Sequence, residues 1–277
     1  MQLDNGKNIR LHRPASSVET TEDRFAPACQ PRIEEKPSLA QTSDPRCVLR
    51  QGNYNICLAD SPVRCSLVSK LIKCMYSWRG YHTENAVISS HNPNQFTLEA
   101  SIERHPVGTL TLGLDSEEGL LADELYRREI NVFRSKQRNV CELSKLAVDP
   151  QHSSKEILAS LFHLAYIYGR NLHGATDLFI EVNPRHARFY KQMLGLRQIG
   201  EKRMCHRVNA PAILMHLDLD YADDQIALVV DSCEPRERSL YAYFLSKHEE
   251  ERVTHTLRQR IHGRNATQPF SRQILHA

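Results

Sequence analysis

Apolar and polar residues alternate along several short segments of the chain, which is the two-residue period of a half-buried strand. This pattern predicts strands at 54–60, 96–102 and 107–114. The polar stretch ERHP between the last two segments predicts that they form a hairpin. Two further strands are predicted at about 196–208 and 212–218.

Apolar residues recur at helical spacing in other segments. They predict helices over 61–78 and 118–135, because side chains three or four positions apart lie on one face of a helix. Asp60 or Ser61 precedes the first of these helices, and both residue types cap helix N-termini well.

The central part of the chain reads as two strand–helix units in tandem. A strand over 140–148 ends at an Asp-Pro pair and is followed by a helix over about 154–171, which Gly174 would end. A strand over 177–182 and a helix over 184–194 follow. Because a strand–helix–strand connection pairs its strands in parallel, the chain is predicted to be an α+β protein with a mixed central sheet flanked by helices.

The flanking segments differ from this central part in composition. Residues 1–50 are rich in proline and poor in apolar periodicity, so we expect a disordered tail. Residues 51–221 should form the folded domain, and residues 222–277 a helical C-terminal extension. Val253 and Leu257 repeat at helical spacing in that extension, and basic residues lie between them.

The composition excludes several classes of protein. A net charge of +3 is too small for a dedicated nucleic-acid binder. The eight cysteines show no spacing typical of zinc ligands, so we expect reduced thiols and no metal site. Without a leader-like start or an apolar run of roughly 18 residues, we expect no integral membrane segment and a cytoplasmic protein.

A carboxylate inside the strand at 140–148 is the first candidate for chemistry. The two-residue period places Glu142, Ser144 and Leu146 on one face, and Lys145 and Ala147 on the other. Glu142 is interpreted either as a general base that deprotonates an amine or as a structural hydrogen-bond anchor. Ser144 would position a water molecule or be an ordinary strand serine. Lys145 would contact an acceptor or a carrier, or simply be exposed.

The segment NPRHARFYKQMLGL, with Asn183, Ala187, Tyr190 and Gly195 at that spacing, resembles the last motif of the GNAT (acyl-CoA N-acyltransferase) superfamily. The stretch LAVDP adds to this resemblance. ELSKLAVD, LFHLAYIYG and NAPAILMHLDL look most like the long-chain N-acyl amino acid synthases of the FeeM type, which are relatives of the acyl-homoserine-lactone synthases. The resemblance covers about 54–221 and implies a GNAT fold.

The resemblance also implies a reaction. Such enzymes move a fatty acyl group from acyl carrier protein to the amine of an amino acid, and Tyr190 would donate a proton to the departing thiolate. The homoserine-lactone relatives have an arginine where this chain has Lys145. A lysine cannot reproduce the bidentate grip of a guanidinium, so their acceptor is not implied here.

The donor arm would bind beside the same strand. Pantetheine is a chain of amides and can pair like a short strand with a free strand edge. We expect the backbone of Leu146, Ala147 and Val148 to bind it where the two parallel strands diverge, with one N–H stabilising the oxyanion. Asn183 is suited to cap the helix that begins at Pro184, and contact with pantetheine would be an additional role.

The loop at 151–156 favours one donor over another, because it lacks the glycines that hold the diphosphate of coenzyme A in ordinary acetyltransferases. Ser153 and Glu156 fit a capping box, which would occupy N–H groups that a phosphate needs. Only Lys155 would attract a diphosphate. The loop therefore favours the 4'-phosphopantetheine of acyl carrier protein, with no bound cofactor. The basic residues that could steer this acidic partner are Arg134, Lys136, Arg138, Lys155, Lys191 and Arg197.

Three alternatives stay open at this point. The chain could use short acyl-CoA donors, because only the loop speaks against them. It could be an acyl-homoserine-lactone synthase. It could also be a catalytically silent relative that binds a carrier protein or other partners through its basic C-terminal helix.

Overall fold

A single mixed sheet forms the centre of the molecule. The computed structural model describes residues 47–84, 86–89, 92–231 and 239–267. Within these residues, the strands of the sheet follow the order β1-β2-β3-β4-β5-β6-β9-β7, and β8 pairs with β9. The strands are β1 Cys47–Gln51, β2 Tyr54–Leu58, β3 Gln95–Ile102, β4 His105–Leu114, β5 Val140–Val148, β6 Asp177–Val182, β7 Arg197–Gln198, β8 Arg203–Cys205 and β9 Ala210–Asp218.

Helices cover both faces of this sheet. They are α1 Pro62–Trp78, α2 Asp123–Arg134, α3 Lys155–Tyr166, α4 Ala187–Leu194, α5 Leu219–Asp231 and α6 Lys247–Thr267. A π-helical turn, Ile167–Leu172, extends α3, and short 3-10 turns occur at Pro150–His152, Pro184–His186 and Leu240–Tyr243. The predicted helical extension is confirmed by α5 and α6.

The two faces have separate cores. On one face, Ile72 of α1 packs with Ala147, and Tyr126 of α2 packs with Phe179. On the other face, α3 is packed into the largest apolar cluster of the molecule, for example through its buried Leu161. Burying one such side chain stabilises the fold by about 1.5–3 kcal/mol, so the sheet is fixed between two apolar layers.

The pairing of β5 with β6 creates the most important opening in the sheet. All other neighbours pair in an antiparallel way, whereas β5 and β6 run parallel, as predicted. This parallel pair extends only over Val140–Leu143 of β5 and 177–180 of β6. Beyond Leu143 the two strands diverge, and the sheet is split at their carboxyl ends.

Some elements differ from the predicted ones. α2 begins at Asp123 rather than at 118, because turns occupy the residues before it. The strand predicted over 196–208 is two short strands, since the chain closes tightly at Gly200, where a Cβ would come within 2.7 Å of Leu214 and Tyr126. β1 begins at Cys47, inside the segment predicted to be disordered, and residues 1–46 lie outside the described part of the chain.

The cysteines also differ from the expectation of reduced thiols. Cys47 and Cys57 face each other across β1 and β2, with their Cα atoms 3.9 Å apart, and form a disulfide. Strand pairing brings these two residues together, and their spacing in the sequence carries no signature for it. Cys65, Cys141 and Cys205 are free and buried.

Candidate active site

A β-bulge lies at the centre of the candidate site. Opposite Leu110 of β4, β5 has two residues, Lys145 and Leu146, instead of one. Lys145 has a φ of 53°, in the left-handed region that glycine favours. A bulge bends its strand and redirects the side chains that follow it.

This bulge corrects the predicted faces of β5. Ala147 packs in the α1 cluster, on the face that carries Glu142, whereas Leu146 packs against the core beneath α3. The predicted sides of Leu146 and Ala147 were wrong, because the extra residue interrupts the two-residue period.

Glu142 is buried at the start of α2. Its two carboxylate oxygens accept hydrogen bonds from the backbone N–H groups of Leu121 at 2.8 Å and Ala122 at 3.0 Å. Gly113 on β4 leaves room for the side chain, since a Cβ there would lie 3.1 Å from Cγ of Glu142. Burial raises the pKa of Glu142 to about 7, although the two N–H bonds act in the opposite direction. The side chain is therefore a structural anchor with a pKa suited to proton transfer near neutral pH.

A second carboxylate, which the sequence interpretation missed, lies on β6. Glu181 accepts a 2.8 Å hydrogen bond from Arg207, whose guanidinium also donates to the carbonyl of Leu121 at 2.9 Å and to Glu124. The negative charge of Glu181 contributes to the raised pKa of Glu142, and Arg207 opposes it. Glu181 stands inside an apolar strand, DLFIEV, and that pattern could have identified it, as it did Glu142.

Ser144 and Lys145 complete this polar cluster. The hydroxyl of Ser144 is buried and has no hydrogen-bond partner within the described residues. Lys145 is half-buried rather than exposed. Burial lowers the pKa of its ammonium, and the nearby charge of Glu142 partly offsets that effect. Lys145 is therefore within electrostatic range of the buried carboxylate, and Ser144 lies on the same strand face as Glu142, two residues along β5.

The predicted donor edge lies beside the opening of the sheet. β4 pairs with Ala147 and Val148 on one side of this segment, whereas the pairing of β6 with β5 ends at Leu143 on the other side. Asn183 follows β6 on the far side of the opening. Its side-chain oxygen accepts a 3.2 Å hydrogen bond from the N–H of Arg185, so it caps the turn as predicted.

Tyr190 lies on α4, half-buried, with its ring edge-on to Phe162 at 6.4 Å between centroids. Burial raises the pKa of its hydroxyl to about 12, with a contribution from Tyr81 and an opposing one from Arg79. In the part of the chain that the structure describes, this hydroxyl has no hydrogen-bond partner. It is therefore a protonated donor at neutral pH without an acceptor among the described residues.

Two arginines near Tyr190 were not identified from the sequence. Arg185 donates a 2.9 Å hydrogen bond to the hydroxyl of Tyr81 and lies 5.2 Å from the centre of its ring. Arg79 lies 4.8 Å from the ring centre of Trp78 and donates to the carbonyl of Met75 at 3.3 Å. Among the described residues, neither guanidinium has a carboxylate partner. Burial and the charge of Arg185 lower the pKa of Arg79.

The loop before α3 caps its helix, but through a different serine from the predicted one. Ser154 is the N-cap, and its hydroxyl accepts a 3.2 Å hydrogen bond from the N–H of Ile157. The capping box predicted for Ser153 and Glu156 is wrong, because the helix starts one residue later and Glu156 then occupies its second position. Lys155 lies against the C-terminal extension, with Nζ 5.4 Å from the ring centre of Tyr243.

The basic residues predicted to steer a carrier protein do not form one group. Arg134 is bound by Asp115 and Asp123, and Arg138 by Asp177, all near the amino end of β5. These two arginines form structural ion pairs. The remaining members are exposed, namely Lys136, Lys155, Lys191 and Arg197.

Across residues 47–84, 86–89, 92–231 and 239–267, no cluster of three or more His, Cys, Asp or Glu side chains could ligate a metal ion. None of the helices in this part of the chain has the length and apolar character needed to cross a bilayer.

The chain is similar to one known family of proteins over most of its central part. The model of one family, described as N-acyl amino acid synthase FeeM, matches residues 67–218, more than half of the chain. The solved structure of FeeM, an N-acyl amino acid synthase from uncultured soil microbes, is 25% identical with a TM-score of 0.54. The match covers 60% of this chain and 92% of that one. A search of curated protein sequences gives no match.

Other solved structures are more distant. An N-acetyltransferase from Staphylococcus aureus Mu50 is 12% identical with a TM-score of 0.43, covering 60% of this chain and 98% of its own. Escherichia coli ElaA is 8% identical with a TM-score of 0.45, covering 60% and 99%.

Proposed function

Because the chain belongs to the FeeM family of N-acyl amino acid synthases and is an acyltransferase with the GNAT fold, we propose a specific reaction for it. It transfers a long-chain fatty acyl group from the thioester of acyl carrier protein to the α-amine of an amino acid. The observation that supports this proposal is the end of the pairing between β5 and β6 at Leu143, which leaves the segment of β5 from Leu146 to Val148 unpaired on the β6 side. The buried Glu142 lies on the same strand, and Tyr190 lies on α4, the helix that follows β6.

The first step is removal of a proton from the ammonium group of the acceptor. Glu142 has a pKa of about 7, so a large fraction is ionised at neutral pH and can take that proton. Both oxygens of Glu142 are occupied by N–H groups. The hydroxyl of Ser144 has no partner among the described residues, so a water molecule held by it would relay the proton.

Once Glu142 has passed the first proton to solvent, the free amine attacks the thioester carbonyl. The cationic nitrogen of the tetrahedral intermediate then gives its second proton to Glu142 through the same water molecule, and the C–S bond breaks as the amide forms and the thiolate leaves. A backbone N–H of the free β5 edge stabilises the oxyanion of the tetrahedral intermediate. Tyr190, with a pKa of about 12, is a weaker acid than a thiol, whose pKa is about 8.5. The tyrosine therefore stabilises the departing thiolate mainly by donating a hydrogen bond, without full proton transfer.

The identity of the acyl donor is proposed on the basis of the loop before α3. This loop has no glycine, and Ser154 already accepts one of the first-turn N–H groups. Glu156 places a negative charge in that turn, where it would repel a diphosphate. Phosphopantetheine on a carrier protein has one esterified phosphate and needs no diphosphate site, so the loop suits acyl carrier protein better than acyl-CoA.

A donor comparison tests this assignment. Purified protein should turn over dodecanoyl or hexadecanoyl acyl carrier protein much faster than the matching acyl-CoA, at least about tenfold in kcat/KM. Product amide and released thiol are both measured, with carrier protein lacking its acyl group as the control. Equal kcat/KM values with the two donors would contradict the proposal.

The acceptor is proposed to be an amino acid on the basis of Arg79 and Arg185. Arg79 acts electrostatically on Tyr190, and Arg185 lies against Tyr81 and acts on Arg79. Neither has a carboxylate partner among the described residues, and a guanidinium pairs well with a carboxylate. An acceptor carboxylate bound there would place its α-amine close to the thioester.

Arg79→Met tests this role of the carboxylate. KM for an amino acid should rise about tenfold or more, whereas KM for the decarboxylated amine of the same side chain should be unchanged. Exposed Arg127→Met on α2 is the matched control and should change neither value. An equal effect of Arg79→Met on both acceptors would exclude the proposed contact.

A further inference from the structure

A small apolar cavity lies on the α3 side of the sheet, away from the polar cluster around Glu142. It measures about 30 Å³, and its floor includes Cys141, Leu143 and Leu178. Tyr241 and Phe244, from the segment before α6, form the wall opposite.

This wall is an addition beyond the part of the chain that matches the family. The match ends at residue 218, whereas Tyr241 and Phe244 belong to the C-terminal extension. The cavity is therefore completed by a segment that the family resemblance does not cover.

The wall is held in place by specific contacts. The hydroxyl of Tyr241 donates a 3.0 Å hydrogen bond to the carbonyl of Leu194. The N–H of Leu245 donates at 2.9 Å to Nδ1 of the fully buried His163, and Phe244 stacks on the same imidazole at 4.3 Å. Aromatic stacking and two buried hydrogen bonds fix the two rings against α3 and α4.

The cavity begins where the chemistry is proposed to occur. Phe162 lines it and also touches the ring of Tyr190. Leu194 lines it too, and lies one helical turn, about 6 Å, beyond Tyr190 on α4. Leu143 is the last residue of β5 that pairs with β6 before the strands separate. An acyl chain attached to a sulfur near Tyr190 can therefore enter the cavity along α4.

The lining selects a hydrocarbon as the occupant. Its few polar side chains have partners elsewhere, since Tyr166 and Arg170 both donate to Asp223. The cavity of about 30 Å³ is small, so it holds only the end of a chain unless its walls move.

We propose that the C-terminal segment closes the far end of the acyl-binding site, and that Phe244 and Tyr241 set the longest acyl chain the enzyme accepts. This inference rests on the proposed function and assigns a role to the C-terminal extension in that reaction.

Two substitutions with opposite effects test it. Phe244→Ala enlarges the site and should move the preferred donor at least two carbons longer. Ala222→Leu, on the α5 wall, fills the site and should move it shorter. The ratio of kcat/KM for hexadecanoyl over dodecanoyl carrier protein should change by roughly tenfold in each direction. Val63→Ala, on the exposed side of α1, should leave the ratio unchanged.

A binding measurement accompanies these assays. Fluorescence of cis-parinaric acid should report tighter binding to Phe244→Ala and weaker binding to Ala222→Leu, with melting curves confirming that both variants fold. If both variants keep the chain-length profile and affinity of the wild type, this inference is overturned, whereas the proposed transferase activity is unaffected. If the wild type acylates no amino acid with any donor, the proposed function itself fails.

Discussion

Glu142 combines two tasks that make opposite demands on one carboxylate. As an anchor it accepts hydrogen bonds from the N–H groups of Leu121 and Ala122, which favour its ionised form. Its burial favours the protonated form more strongly, and the resulting pKa is about 7. The same environment that holds α2 in place therefore keeps the carboxyl ready to exchange a proton near neutral pH.

Replacing Glu142 with glutamine removes the base, and the amide keeps an acceptor for only one of the two anchoring N–H groups. For the wild type we expect kcat/KM to rise with pH through about 7, because the base must be ionised. In Glu142→Gln this limb should disappear and kcat/KM should fall by about 10²–10⁴. Glu201→Gln, an exposed control, should keep the wild-type profile. An unaltered pH profile in Glu142→Gln would exclude the carboxylate as the base.

The same residue should also affect stability with a defined sign. Its folded pKa lies above the ordinary value of 4.5, so the folded protein retains a proton that the unfolded chain loses. Its contribution to the free energy of unfolding is full below pH of about 4.5 and is lost as pH rises through about 7. As pH rises from about 4.5 to about 7, the free energy of unfolding of the wild type should therefore fall relative to that of Glu142→Gln. Urea denaturation at a series of pH values measures both.

At the scale of elements, a shift of one residue at the start of α3 changes which serine caps the helix. The sequence predicted Ser153 as the capping residue, whereas the structure gives the role to Ser154. A side chain of the loop still accepts a hydrogen bond from a first-turn N–H group. The proposal for the acyl donor depends on this property.

Ser154→Ala should lower the free energy of unfolding by about 1 kcal/mol, because the N–H of Ile157 loses its side-chain acceptor. Ser153→Ala is the matched control and should change it by less than about 0.5 kcal/mol. Both values come from urea denaturation. Equal losses for the two serines would show that the cap is shared or lies elsewhere.

At the scale of the whole molecule, the C-terminal extension is part of the main core. Leu240, Val253 and Leu257 are buried in the same apolar cluster as α3 and the sheet. The extension therefore stabilises the acyltransferase domain itself.

Leu257→Ala should consequently lower the free energy of unfolding by about 2–5 kcal/mol, through lost burial and the cavity left behind. Leu228→Ala, which removes the same atoms from a half-exposed position on α5, should stay within about 0.5 kcal/mol. Thermal and urea unfolding give both values. A loss as small as the control's would show that α6 is not held in the core.

Local periodicity was enough to predict much of the architecture. The spans of β5 and β6, α1 and the hairpin of β3 and β4 follow from apolar spacing, turns and caps within about 20 residues. Glu142 was identified from a carboxylate inside an apolar strand, and Tyr190 from the resemblance of its segment to the last GNAT motif. Their catalytic roles stay predictions.

Contacts between distant segments could not be inferred by that route. The bulge at Lys145 shifts the faces of Leu146 and Ala147, because the register with β4 inserts one residue that no local pattern marks. Arg185 meets Tyr81 across 104 positions, and Phe244 reaches His163 only because the chain returns over α3. Side-chain spacing is encoded within each element, whereas partners depend on how the elements pack, and packing joins residues that are remote along the chain.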